Sequence, residues 1–292
     1  MRKDLAILVA ATFLLAAGAL RADDGADKLT AQKKAAEENW ALLDAGDAAT
    51  VETAHLLMYA PKSMEKKLKD IGGALEKQQA KAREALGYDE KSEPWPGKLT
   101  VYLFPERDTF TRFVRKVENR RVEADDTGSH FADSDIPHAA AGPAKKRKDY
   151  TLEDQAAEQV ASALLQRKAG KDTVLPGWLL SGFGRATVYR VSGKDNAMVK
   201  KERVWAAKLS AAKSARDVWA GTLEGEESAI LEASVTDFLA YGPYSAKFSK
   251  FVTGFKPDEN LNPKTAAQAI EAAGWIADGV DKDWKRWVVN PK

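Results

Sequence analysis

The chain contains no cysteine. Disulfides, thiolate metal sites, cysteine nucleophiles and a lipid-modified N-terminal cysteine are therefore excluded. A chain of 292 residues can fold without cross-links, even outside the cell, because its core is large enough. Histidine is scarce, with only His55, His130 and His138. No Gly-x-Ser-x-Gly elbow occurs, and no phosphate-binding loop. Net charge is small as well. Of the formal +2, Arg2, Lys3 and Arg21 against Asp4 account for all, so the remainder is about neutral. The pI of about 8.5 is thus no sign of a nucleic-acid partner. The basic stretch Lys145-Lys146-Arg147-Lys148 is short, has no interleaved aromatics, and reads as an exposed loop.

Apolar residues make up 44% of the chain and charged residues 30%, enough for a sizeable core and a well-solvated surface. Residues 1–22 stand apart. Arg2 and Lys3 precede a 16-residue apolar run from Leu5 to Leu20, and small residues lead to Asp23. A basic start, a short apolar stretch and a small-residue exit predict a secretory signal peptide. The other reading is a retained anchor, for which the run is short. The expectation is an exported protein, periplasmic or secreted, with no stable membrane span once the signal is removed.

Residues 28–46 read as a polar helix, and Val51 to Tyr59 as one strand ending at Pro61. Leu68, Ile71, Leu75 and Ala82 predict a helix over 62–86, stopped by Gly87. In 98–104, Leu99, Val101 and Leu103 alternate with Thr100, Tyr102 and Phe104, so both faces are fairly apolar, as in a central strand. Pro105 and Glu106 open a helix carrying Phe110, Phe113, Val114 and Val117. Two short strands are expected at 128–131 and 136–141, the second an edge strand because of Pro137. From Tyr150 onward the pattern is helical, starting at a capping box of Thr151 and Asp154. Helices are expected to about Lys168, from Pro176 to about Arg190, and at 195–214, 228–241, 243–254, 264–273 and 279–288. The class is α+β: a strand-containing part over 23–148, then an all-helical part over 149–292.

Two segments carry a family resemblance. One is Glu153-Asp154-Gln155-Ala156-Ala157-Glu158-Gln159-Val160-Ala161; the other is Leu175-Pro176-Gly177-Trp178-Leu179-Leu180-Ser181-Gly182-Phe183-Gly184. Together they resemble the core of the gluzincin metallopeptidases, most of all the exported bacterial branch called peptidase MA-like. Looser likeness extends over about residues 50–288 and makes the helical part zincin-like. In that family a helix carries His-Glu-x-x-His, and a later helix beginning Pro-x-Trp-Leu-x-Glu-Gly supplies the third ligand. Histidines at i and i+4 reach one Zn²⁺, a carboxylate completes the set, and the motif glutamate takes a proton from the bound water.

This sequence departs from the pattern at every ligand. Ala157 and Ala161 stand at the histidine positions and Ser181 at the carboxylate position; only Glu158, at the general-base position, is kept. A methyl group has no lone pair for a metal, so neither a catalytic residue nor a metal or other cofactor is expected. The resemblance implies an exported pseudopeptidase that binds a peptide, protein or envelope component in the old cleft. A second reading is a structural or interaction domain whose cleft is filled, with Phe183, Leu164 and Leu165 as fillers. A third is a hydrolase using an unrelated carboxylate site or a metal site rebuilt on His130 and His138. Glu158 can equally be read as an ordinary helix glutamate, and the alanines as plain helix formers. Gly182-Phe183-Gly184 begins like a dinucleotide fingerprint but lacks its third glycine and its strand. Among the eight tryptophans, Trp284 and Trp287 fit a buried core better than a sugar platform.

Overall fold

A computed structural model describes residues 27–89, 92–124, 126–143 and 150–291. The segment 1–22 read as a signal peptide, the basic stretch at 145–148 read as a loop, and the boundary expected near Lys148 lie outside the described residues.

Five strands form one sheet in the order β1-β2-β3-β5-β4. They are β1 (Ala48–Glu52), β2 (Leu56–Pro61), β3 (Leu99–Leu103), β4 (Gly128–Phe131) and β5 (His138–Ala141). β2, β3 and β5 run parallel, while β1 and β4 are antiparallel edges. The alternation read from the sequence sets the layers. Leu56, Met58, Ala60, Leu99, Val101 and Leu103 feed one core cluster, and Leu57, Tyr59, Tyr102 and Phe104 feed another on the opposite face. Helix α1 (27–41) and helix α3 (Arg107–Lys116) cover the second face through Trp40, Phe110 and Phe113. Helices α2 (Glu65–Ala85) and α4 (Leu152–Ala169) cover the first.

Two strand expectations need correction. Residues 51–59 are not one strand. The chain turns at Thr53-Ala54-His55, where the Thr53 N–H donates to the Leu56 carbonyl, and β1 pairs back on β2. The turn has neither glycine nor proline to announce it. β5 is not an edge strand, for it lies between β3 and β4. Pro137 sits one residue before it and contributes only its carbonyl, which accepts from the Thr100 N–H, so no ladder donor is lost.

The rest is helical: α5 (Gly177–Ser192), α6 (Ala197–Leu209), α7 (Ala215–Trp219), α8 (Gly225–Ala240), α9 (Phe248–Thr253), α10 (Ala266–Ala272) and α11 (Ala277–Trp287). The molecule is therefore α+β, with the sheet in the N-terminal half and helices after it. α4 packs on the sheet, α5 on α4 and α8 on α5. One continuous apolar cluster runs from Ala49 of β1 to Val288 beyond α11. No helix among the described residues is long and apolar enough to cross a membrane.

Candidate functional site

α4 begins at the capping box expected from the sequence. Thr151 Oγ1 accepts from the Asp154 N–H, and the Asp154 carboxylate accepts from the Thr151 N–H. Such a box satisfies two donors that the first turn leaves open. Beyond it the helix is buried on most sides, and the two alanines compared above with the motif histidines lie inside: Ala157 is 3% exposed and Ala161 0%. Small side chains here let neighbouring helices come close. α5 enters from Pro176, which sits in extended conformation just before the first helical residue, and Trp178 is buried directly behind it.

The two helices meet without an intervening gap at Gly184. A β-carbon on Gly184 would fall 2.5 Å from Glu158 Cγ and 2.6 Å from the Glu158 carbonyl oxygen. One turn away, Ser162 Oγ lies 2.8 Å from the Glu158 carbonyl and 2.9 Å from the Leu180 carbonyl, sharing its single hydrogen between the helices. Gly182 faces the other way: its β-carbon would meet Thr236 Oγ1 at 2.5 Å and the Glu232 carbonyl at 2.6 Å. Residues two apart on a helix point in roughly opposite directions. The Gly-x-Gly pair thus lets α5 lie tightly between α4 and α8, a role that a partial dinucleotide fingerprint does not suggest.

The Glu158 carboxylate is already engaged. Glu158 Oε2 accepts a hydrogen bond from Tyr150 Oη at 2.8 Å. The Tyr150 ring is buried, and its phenol is pushed well above its ordinary range, first by burial and then by the Glu158 charge. The Arg185 guanidinium lies 5.7 Å from the centre of the same ring. Ser181 turns to α8, where its hydroxyl lies 2.6 Å from Glu232 Oε2 and 3.0 Å from the Gly177 carbonyl. The other Glu232 oxygen accepts from Ser228 at 2.7 Å. The expected fillers Phe183, Leu164 and Leu165 are all buried in one apolar cluster, where Phe183 stacks on Tyr241 and Phe248. Tyr150, Ser162 and the Gly184 contact also lie along the seam.

Next to the seam lies an ionic group invisible in the sequence. Arg185 meets Glu202 of α6 through Nη2 at 2.5 Å and Nε at 2.9 Å, while Tyr189 Oη bonds the same carboxylate. Both charged side chains are about 95% buried. Burial alone would lower the Arg185 pKa, but the oxygens of Tyr189 and Glu202 outweigh it and keep the guanidinium charged. The partners are separated in sequence by 17 residues, so no local spacing marks them.

No protein-family model matches the chain, and no curated protein is significantly similar to it. The likeness to gluzincins therefore rests on the residues of α4 and α5 themselves.

The three histidines occupy three separate places. His130 pairs in register with Ala139, and His138 with Phe131. Adjacent residues on a strand point to opposite faces, so His130 and His138 lie on opposite sides of the sheet. His130 Nδ1 is 3.1 Å from Gln159 Oε1 of α4, and burial holds its pKa below the usual histidine value. His138 stacks on Phe131 and lies 3.4 Å from Glu118 Oε1. Ser129 Oγ also bonds Glu118, at 2.5 Å. Serine and histidine thus share one carboxylate instead of facing each other, which is not the geometry of a Ser-His-acid triad. The Glu118 side chain is buried; burial would raise its pKa, but His138 and Ser129 outweigh that and hold it lowered. His55 is half-buried, with Nδ1 2.7 Å from Glu76 Oε2 and Nε2 3.9 Å from Glu93. Among the described residues, no group of three or more histidine, aspartate or glutamate side chains is placed to hold a metal ion. Trp284 is buried and donates to Ser234 Oγ at 3.1 Å, and Trp287 packs on Phe238.

Proposed function

We propose that this chain is an exported, non-catalytic relative of the gluzincin peptidases, and that it works by binding a peptide, protein or envelope component. One observation carries the reading. The retained Glu158 has its carboxylate bound by the buried Tyr150 phenol and its backbone pressed against Gly184, while Ala157, Ala161 and Ser181 offer no ligand set around it. A general base needs a water activated in front of it, and the donors that would hold the activating cation are absent by residue type.

The closed contact between α4 and α5 favours a scaffold whose old cleft is filled. Binding then belongs to outer surfaces of the fold and not to the α4–α5 seam. Two experiments test the reading. A broad peptidase screen, with added zinc and with chelator, is expected to show no turnover. Chelator-sensitive cleavage would overturn the non-catalytic part. Cell fractionation is expected to place the protein in the periplasm or medium, and retention in the cytoplasm would overturn the exported part.

The hydrolase alternative has one arrangement in its favour. His55 stands between Glu76 and Glu93, with Thr53 Oγ1 also bonding Glu76 at 2.5 Å. Burial raises the Glu76 pKa, but the bonds from Thr53 and His55 outweigh it and hold the carboxylate ionised. A glycosidase and esterase screen of the His55→Ala variant beside the parent protein decides this reading: no activity in either removes it.

A further inference from the structure

The turn between β1 and β2 holds one histidine from several sides. The His55 N–H donates to Glu76 Oε1 at 2.8 Å, and its carbonyl accepts from the Leu99 N–H at 3.1 Å, so its backbone is fixed by α2 and by β3. The ring is fixed as well. Glu76 Oε2 lies 2.7 Å from Nδ1, and Thr53 Oγ1 bonds the other Glu76 oxygen. A carboxylate beside Nδ1 keeps the hydrogen of the neutral ring on that nitrogen and leaves the lone pair on Nε2. Nε2 lies 3.9 Å from Glu93 Oε1, beyond hydrogen-bond reach. The two side chains are 31% and 55% exposed, so solvent reaches both. Glu93 belongs to an anchored loop. Pro94 restricts its backbone, the Pro94 carbonyl accepts from Arg167, and the Trp95 indole donates to the Ala132 carbonyl. The cations near the turn already have partners. Lys98 Nζ lies 2.9 Å from Glu52 Oε1 and bonds the Thr53 carbonyl. Arg83 donates to the carbonyls of Asp89 and Ser92, and comes no nearer to Glu93 than 3.9 Å.

We propose that His55 Nε2 and the Glu93 carboxylate bind a divalent transition-metal ion such as zinc, with water in the remaining positions and Glu76 orienting the ring from behind. Metal-binding histidines commonly donate their other ring N–H to a carboxylate, which fixes the ring and raises its basicity. Zinc bonds of roughly 2.0–2.2 Å at a tetrahedral angle put nitrogen and oxygen about 3.4 Å apart, so Glu93 has only about half an ångström to close. An imidazole beside a carboxylate selects zinc, nickel or copper over magnesium, which takes oxygen ligands. With two protein ligands the ion is held weakly, and dialysis against metal-free buffer removes it. The inference rests on neither functional reading above, since none of these residues lies on α4 or α5 and binding requires no turnover.

The test titrates zinc chloride into the purified protein by calorimetry, with magnesium chloride as the control and histidine-ring NMR to locate the ion. One zinc per chain is expected to bind and to shift the His55 ring signals, and magnesium to do neither. His55→Ala should abolish this binding. Glu93→Gln removes a ligand and Glu76→Gln loosens the ring, and each should weaken binding by about tenfold or more. Glu93 is exposed, so thermal melts of its variant should match the parent protein even if Glu76→Gln disturbs the fold. Zinc binding that survives His55→Ala overturns the proposal. So does binding that needs His55 but is unmoved by Glu93→Gln, which is a lone surface histidine holding an adventitious ion only. Absence of any zinc binding overturns it too.

Discussion

Gly184 of α5 lies against Glu158 of α4 so closely that one added carbon would fall 2.6 Å from the Glu158 carbonyl oxygen. A side-chain tip can move aside, but a helix carbonyl cannot without moving the helix. Gly184→Ala is therefore expected to destabilise by about 1–3 kcal/mol, although alanine is the better helix former. Gly73 in α2 is the control, for it is exposed and a β-carbon there meets nothing within 4 Å. Gly73→Ala should stabilise by about 0.5–1 kcal/mol. Urea melts of both variants check the opposite signs.

Placing a histidine at Ala161, where the gluzincin motif would have its second one, should damage the fold before it binds anything. Ala161 is fully buried in the cluster joining sheet and helices. Ala161→His is expected to cost about 1–3 kcal/mol through overpacking, with further loss if the ring is charged. Thermal unfolding with and without zinc measures this, and a melt that zinc does not raise is the expected result.

The Arg185–Glu202 pair gives a sharper energetic test. Breaking a buried pair leaves one uncompensated charge. Glu202→Gln should cost about 3–5 kcal/mol, whereas the double variant Arg185→Met/Glu202→Leu should recover most of that loss. The single variants Arg185→Met and Glu202→Leu close a double-mutant cycle with the double variant, and urea melts of the four proteins read the coupling.

Stability should fall on mild acidification because of His130. Its pKa in the folded protein is lowered from 6.5 by burial, so the unfolded chain binds the proton more readily. The contribution is complete above the unfolded value and is lost as pH falls through 6.5 toward the folded value. A His130→Gln variant should show a flatter stability profile across that window. At lower pH, Glu118 adds a second limb. Its folded pKa is lowered from 4.5, so its contribution is present above that value and disappears as the carboxyl protonates.

Much of this fold can be read from periodicity. The alternation at 99–104 places β3 at the centre of the sheet, where it is found. The Thr151–Asp154 box starts α4, and Gly87, with φ of 63°, follows α2 as a left-handed stop. What could not be read depends on distant or unmarked neighbours. The 53–55 turn carries no turn residue, and Pro137 precedes its strand without interrupting it. The partners of Glu158, Ser181 and Arg185 come from Tyr150, Glu232 and Glu202, at separations no local pattern encodes. The Gly182 and Gly184 pair was visible but signals a helix packed on two sides, which only the third dimension explains.

Metal stoichiometry tests the central claim most directly. Purified protein is dialysed against zinc, then against metal-free buffer, and its retained metal is measured by mass spectrometry. The account predicts retention well below one zinc per chain, unchanged by Glu158→Gln. One tightly retained zinc per chain, lost in a variant of the α4–α5 seam, would contradict it.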